Sequence, residues 1–148
     1  ARIGCKGKKK YWYGYKQHVS VDMQSGLINK VAITPANKTD AQGLDNVCPS
    51  QGAIYADKGY CTMGAQKAAK IRSCHLAAIK KNNMKKKNKD QDRWYSGIRS
   101  PYERVFSKRS KRVRYRGIAK NQFSAFMGAI CFNLKRLLVI NPKKLCLH

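Results

Sequence analysis

The chain has 148 residues, 43% of them hydrophobic, which is enough for one domain with a real core and excludes a disordered tail. It carries 32 Lys and Arg against 7 Asp and Glu, a net charge of +25. That excess favours a polyanionic partner, nucleic acid ahead of an anionic membrane surface, because no lipid-facing amphipathic segment stands out.

The charge is uneven. Residues 1–60 hold 9 basic and 4 acidic side chains (+5), and residues 61–148 hold 23 and 3 (+20), so most phosphate contacts are expected in the second half. No run of about 18 apolar residues is legible, and no membrane span is expected. The six cysteines are scattered without a C-x-x-C, and no secretory leader supports disulfides. Reduced, mostly buried thiols are expected, and Cys74-His75 is read as a chance neighbour pair rather than a metal site.

In chain order, residues 1–10 (ARIGCKGKKK) read as a basic arm. YWYGYKQHVSVD (11–22) is aromatic, β-branched and alternating, which predicts a strand. Residues 23–26 (MQSG) supply a turn, and LINKVAIT (27–34) is the returning strand of a hairpin, stopped by Pro35. Thr39 with Gln42 is a capping-box pattern, and a short helix is expected through Val47. AIYA (53–56) suits a strand buried on both faces, TMGAQKAAKI (62–71) a helix and HLAAI (75–79) another buried strand. The polar stretch 82–92 is expected to be a loop, and Ser100-Pro101 is expected to open a helix. KRVRYRG (111–117) reads as a basic connector. Phe123, Phe126, Met127, Ile130, Cys131, Leu134, Leu137 and Leu138 recur at helical spacing, which predicts an amphipathic helix packing that face on the core. The order suggests an α/β layered domain over 11–140 with a mixed sheet, and a tail at 141–148.

Seven acids leave few choices for chemistry. Asp90 and Asp92 read as solvated charges in the polar loop, Asp22 as a turn residue, Asp40 as a helix-start residue and Asp45 as unremarkable. Asp57 follows a buried strand in IYADKGY (54–60), where α/β proteins gather ligands, although on spacing alone an ordinary strand-to-loop turn is the simpler explanation. Glu103 has a competing explanation too, completing a capping box with Ser100. Spacing alone leaves both open. Trp12 reads as core packing. Trp94, Lys85 to Lys87, and Tyr115 among its arginines are candidates for DNA contact beside plain solvent exposure.

YGYKQHVSVD, SGLI, VAITPANKTDAQ, YADKGY, RSPYERVFSK and RYRGIAKN, in this order, resemble the DDE transposases of bacterial insertion sequences, nearest the branches called families four and five. The likeness runs from about Lys6 to Leu138. It implies a ribonuclease-H-like fold, a mixed sheet flanked by helices, with Asp, Asp and Glu as catalytic acids. The second Asp falls on Asp57, and the Glu falls on Glu103 of an R-x-x-x-E pattern with Arg99. The family's tyrosine and lysine on that helix fall near Tyr95 and Lys111, each one residue further out than usual, with Lys108 closer.

The resemblance places the first Asp on a strand ahead of the K-G-K-K…Y-G-Y-K segment. The chain is therefore expected to lack that strand, and Asp22 matches a later one. The expectation is the C-terminal part of a transposase, arising by truncation, a split or frameshifted gene, or cropping. The implied chemistry is phosphodiester cleavage and strand transfer by two Mg²⁺ or Mn²⁺ ions roughly 3.5–4 Å apart, held by Asp57 and Glu103. Lys58, Arg99, Arg104, Lys108, Lys111, Arg112, Arg114 and Arg116 would grip phosphates. With one acid missing the chain is expected to be inactive alone, needing an upstream transposase fragment or a homo-oligomer. The implied setting is the bacterial cytoplasm, at the nucleoid. The alternative is a basic nucleic-acid-binding protein without catalysis.

Overall fold

The computed structural model describes residues 1–5, 10–107 and 114–140. Two antiparallel strands, β2 (Tyr11–Val21) and β3 (Ile28–Pro35), form the expected hairpin, paired from Tyr15↔Pro35 to Val21↔Ile28 with an irregularity at Ser20/Val21. Its turn is closed by Asp22, whose carboxylate accepts from the Ser25 N–H (2.7 Å) and hydroxyl (2.6 Å). Gly26 leaves that turn at φ 71°, a conformation open to glycine at little cost. Arg2–Cys5, read as part of a basic arm, instead form β1, antiparallel to Tyr11–Gly14 on the opposite edge of β2. The arm has no apolar alternation to announce a strand, and β2 supplies the pairing.

Helix α1 (Asp40–Val47) starts with the expected capping box: Thr39 Oγ1 accepts from the Gln42 N–H (3.3 Å), and Gln42 Oε1 accepts from the Thr39 N–H (3.0 Å). Strand β4 (Gly52–Ala56), helix α2 (Met63–Ile71) and strand β5 (Cys74–Ala78) make a parallel β-α-β unit. Its core is Leu44, Cys48, Ala65, Ala69 and Cys74. β4 is only partly buried, against the expectation from its apolar sequence, because β5 pairs one of its edges and no described strand pairs the other. Of the described thiols, Cys48 and Cys74 are buried, whereas Cys5 and Cys131 are exposed. Burial pushes the Cys48 thiol pKa up, with the neighbouring Cys74 adding to the effect.

The polar stretch 82–92 is not all loop. Asn88 Oδ1 accepts from the N–H groups of Asp90 (3.0 Å) and Gln91 (3.1 Å), and α3 runs Lys89–Arg99. Asp92 is correspondingly not a solvated charge: it is 8% exposed and accepts from the Lys80 N–H at 2.9 Å. Nor does Ser100-Pro101 open a helix. Ser100 is itself helical (φ −52°, ψ −42°), and the chain passes through a 3-10 turn (Ser100–Glu103) into α4 (Arg104–Ser107). Proline within a helical path lacks an N–H and crowds the preceding turn, so the path tightens there instead of beginning.

Helix α5 (Ile118–Ile140) lies along the outer edge of β3 and covers it with side-chain amides. Gln122 Oε1 accepts from the Ile33 N–H (2.7 Å), and its Nε2 donates to the Val31 carbonyl (3.0 Å). Asn133 does the same for Ile28, accepting from its N–H (2.8 Å) and donating to its carbonyl (2.9 Å). A strand edge that could pair with another chain is thereby closed. The face buried there is small: Ala125 and Ala129 join Ile28, Val31 and Val105 in the second core.

This corrects the sequence-based expectation for α5. Phe123, Phe126, Met127, Ile130, Leu134, Leu137 and Leu138 are 40–65% exposed and do not pack on the sheet. By length and composition alone α5 could cross a membrane, contrary to the expectation of no such segment. Its amides, however, hold it against a sheet edge.

Strands in antiparallel and parallel pairs flanked by helices make this a mixed α/β domain, consistent with a ribonuclease-H-like fold. The strands form two small sheets, β1-β2-β3 and β4-β5, rather than one.

Candidate active site

Asp57 follows the last residue of β4 and caps a 3-10 turn (Lys58–Tyr60), its Oδ1 accepting from the Lys58 N–H at 2.7 Å. The turn explanation for this residue is therefore real, yet among the described residues it leaves the second carboxylate oxygen uncommitted. Glu103 makes no capping box, since Ser100 continues the helix. Instead Arg99, at the end of α3, donates from Nη2 to Glu103 Oε1 at 2.9 Å and brings Nη1 to 3.7 Å from Asp57 Oδ1. One guanidinium thus faces two carboxylates from distant parts of the chain. Both acids are about 60% exposed, so water reaches them, and Arg99 is more enclosed. Tyr102 ties this segment to the hairpin by donating its hydroxyl to the Met23 carbonyl at 2.7 Å.

The acids stand at a cleft of about 380 Å³ between β2 and β4. Consecutive residues of both strands line it, Gln17 to Val21 on one side and Ala53 to Asp57 on the other, with Tyr102 and Phe106 nearby. Strand geometry says why. The Ile33 N–H and Val31 carbonyl point away from β2, towards Gln122. Their register partners Gln17 and Val19 must then aim their own N–H and carbonyl groups at the cleft. No described strand pairs that part of β2, and among the described residues the buried Gln17 Nε2 and Ser20 Oγ have no hydrogen-bond partner.

A second polar cluster braces the cleft floor. His18, 3% exposed, pairs through Nε2 with Thr34 Oγ1 (2.8 Å) and through Nδ1 with the Tyr60 hydroxyl (3.3 Å). Burial lowers the His18 pKa, Asp40 opposes that shift, and Lys16 adds slightly to it. Burial, with the charges of Asp40 and Asp57, pushes Tyr60 up to about 12. A Cβ at Gly43 would overlap the His18 ring, so α1 can approach only with glycine there. Lys16 Nζ meets Asp40 Oδ1 at 3.1 Å. His18 therefore links β2, β3 and the turn that carries Asp57. No motif in the sequence singles it out; the signal is its place in phase with Gly14 on the inward face of an alternating strand.

Of the basic candidates, Lys58 donates to Asn82 Oδ1 (3.3 Å), where Lys87 also converges (3.1 Å). Arg114 and Arg116 are exposed just ahead of α5. Arg104 belongs to α4, its side chain outside the described set, and Lys108, Lys111 and Arg112 lie outside the described residues. On β4, Tyr55 meets Trp94 and Tyr95 edge to face, those two rings are tilted against each other, the centroids are 5.5–5.9 Å apart, and Trp94 stays 58% exposed.

Two hard carboxylates facing each other across a counter-cation are a donor set for a divalent ion of the magnesium type. Among the described residues no third His, Cys, Asp or Glu joins them. The set fits such an ion in kind and falls short in number.

A mixed α/β domain that sets a strand-tip aspartate against a helical arginine–glutamate pair is the class of molecule that emerges. The model of the transposase DDE domain matches residues 2–134, and the chain belongs to that family. It is a transposase domain, and transposases act on DNA. No curated protein and no solved structure matches it significantly.

Proposed function

We propose that this chain is the C-terminal part of the catalytic domain of an insertion-sequence transposase of the family four or five type, acting on DNA by metal-dependent phosphodiester cleavage and strand transfer. One observation carries the reading: Arg99 holds Asp57 and Glu103 together at the mouth of the cleft. In this reading the two acids would hold Mg²⁺ or Mn²⁺, with Arg99 turned aside but still beside them. When bound, such ions activate the attacking oxygen and stabilise the leaving one.

The chain's own groups do the rest. Asp57 is held by its own turn, and the His18–Tyr60 pair fixes that turn against β2. Lys58 and Arg99 bind phosphate oxygens beside the acids. Arg104, Lys108, Lys111, Arg112, Arg114 and Arg116 are proposed to add phosphate contacts, with arginine favoured for two-point contacts. Trp94 offers an exposed ring for a base.

The third acid would come from a strand in the cleft. β1 already pairs with one stretch of the β2 edge, and a strand continuing its line would meet the free backbone groups of Gln17 and Val19. It would also run beside β4. An upstream fragment of the transposase or a second copy could supply it, and without it turnover should fail. In a bacterium the work would be done in the cytoplasm, at the nucleoid.

Mn²⁺ titration of the wild type and Glu103→Gln tests the site. Glutamine keeps the size of the side chain, and an exposed i,i+4 ion pair contributes only about 0.3–0.5 kcal/mol, so stability should hardly move. Metal affinity should fall at least about tenfold, the loss of one of two charged ligands being worth more than about 1.4 kcal/mol. Identical titrations would refute the assignment of Glu103.

A further inference from the structure

Asp57 stands at the head of a three-residue 3-10 turn, and its side chain is 61% exposed. Among the described residues, only Arg99 and the Lys58 N–H meet its carboxylate. The direction of that carboxylate is therefore set by whatever holds the turn. The turn moves as one piece, since the Tyr60 N–H donates to the Asp57 carbonyl at 2.9 Å.

Two side chains from outside hold it. The Tyr60 hydroxyl meets His18 Nδ1 at 3.3 Å, and Nε2 of the same ring meets Thr34 Oγ1 at 2.8 Å. A neutral imidazole serves both contacts: with Tyr60 donating to Nδ1, Nε2 donates to Thr34. The α1 backbone closes on the ring at Gly43 and keeps it from tipping. Asp40, at the start of α1, supports the turn at a second point, where a Cβ on Gly59 would come within 2.6 Å of Asp40 Oδ2. Lys16 Nζ fixes Asp40 in turn, 3.1 Å from Oδ1. Lys16 and His18 lie two residues apart on β2, so both supports run back to one strand.

We propose that His18 and Asp40 are positioning residues for Asp57, an inference that rests on reading Asp57 as an ion ligand: through Tyr60 and Gly59 they aim its carboxylate and so set the affinity of the site. Both act on the ligand through the turn rather than on the ion. Removing a group that orients a metal ligand changes affinity by about 10- to 100-fold, and supports acting through backbone belong at the low end.

The test pairs Mn²⁺ titration, read by the paramagnetic signal, with the amide spectrum of the metal-free full chain. Tyr60→Phe should bind Mn²⁺ about tenfold more weakly and move the Lys58 amide proton upfield, as its short bond to Asp57 Oδ1 loosens. His18→Gln carries its amide at the position of Nε2, keeps Thr34 and loses Tyr60, so it should weaken binding by the same factor. His18→Asn carries its amide at the position of Nδ1 and should recover most of that loss. Asp40→Ala should weaken binding too, and Asp40→Asn, which keeps the shape against Gly59, should recover most of it. Gln122→Leu, which loosens the outer edge of β3 instead, should leave the affinity as it is. Equal affinities for the two His18 variants, wild-type binding by Tyr60→Phe, or a matching loss in Gln122→Leu would overturn the proposal. If wild type and Glu103→Gln titrate alike, the ion reading falls by itself. The Lys58 amide then decides the positioning role, and an unmoved proton in Tyr60→Phe would overturn it.

Discussion

Arg99 stands where the proposed ion needs room, and removing it gives an unusual prediction: a variant with fewer contacts should bind metal more tightly. In the structure the guanidinium lies 2.9 Å from Glu103 and 3.7 Å from Asp57. An ion about 2 Å from those oxygens would then sit about 5 Å from the arginine charge. Both carboxylates are about 60% exposed, so the dielectric of water is the fitting choice. A double and a single positive charge at 5 Å in water repel by about 1.7 kcal/mol, which corresponds to about 15-fold in affinity. Arg99→Ala should therefore bind Mn²⁺ on the order of tenfold more tightly, measured by calorimetry or by the Mn²⁺ paramagnetic signal. The gain should vanish in Arg99→Ala/Glu103→Gln. Stability should fall by less than about 1 kcal/mol, because both ion pairs are exposed. Equal or weaker Mn²⁺ binding by Arg99→Ala would refute the idea that this arginine occupies the ion's place.

Gln122→Leu keeps the bulk of the side chain but removes two hydrogen bonds to β3, and should cost about 1–3 kcal/mol in urea unfolding with faster exchange of the Ile33 amide. An unchanged Ile33 amide would show that α5 does not close that edge. Stability should also depend on pH through His18. Burial lowers its folded pKa, so below about 6.5 the unfolded chain binds more protons, and stability present above 6.5 is lost as pH falls. The slope is at most about 1.4 kcal/mol per pH unit. His18→Gln should flatten it between pH 5 and 7, and equal slopes would sink the explanation. DNA affinity should drop steeply between low and moderate salt, since phosphate neutralisation dominates binding by so basic a chain. A flat salt dependence would remove DNA from the proposed function.

The amino-acid sequence by itself determined the local pieces of this transposase domain. The aromatic and β-branched alternation of 11–34 makes a hairpin, Thr39 and Gln42 cap a helix, and Asp57 closes a turn at a strand end, because each depends on neighbours only a few residues away. The polar opening of α3 was harder to see, since KKKNKDQD has no apolar period and its signal rests on one asparagine. Tertiary structure alone decided which face of α5 is buried. Periodicity marks a stripe but not its partner, and the β3 edge selected Gln122, Ala125, Ala129 and Asn133 over the larger apolar side chains because amides can satisfy strand backbone groups and alanines allow close approach. It likewise decided the meeting of Asp57, Arg99 and Glu103. Two of these lie four residues apart on a helical path, but the third comes from more than forty residues away, and only chain packing sets that distance.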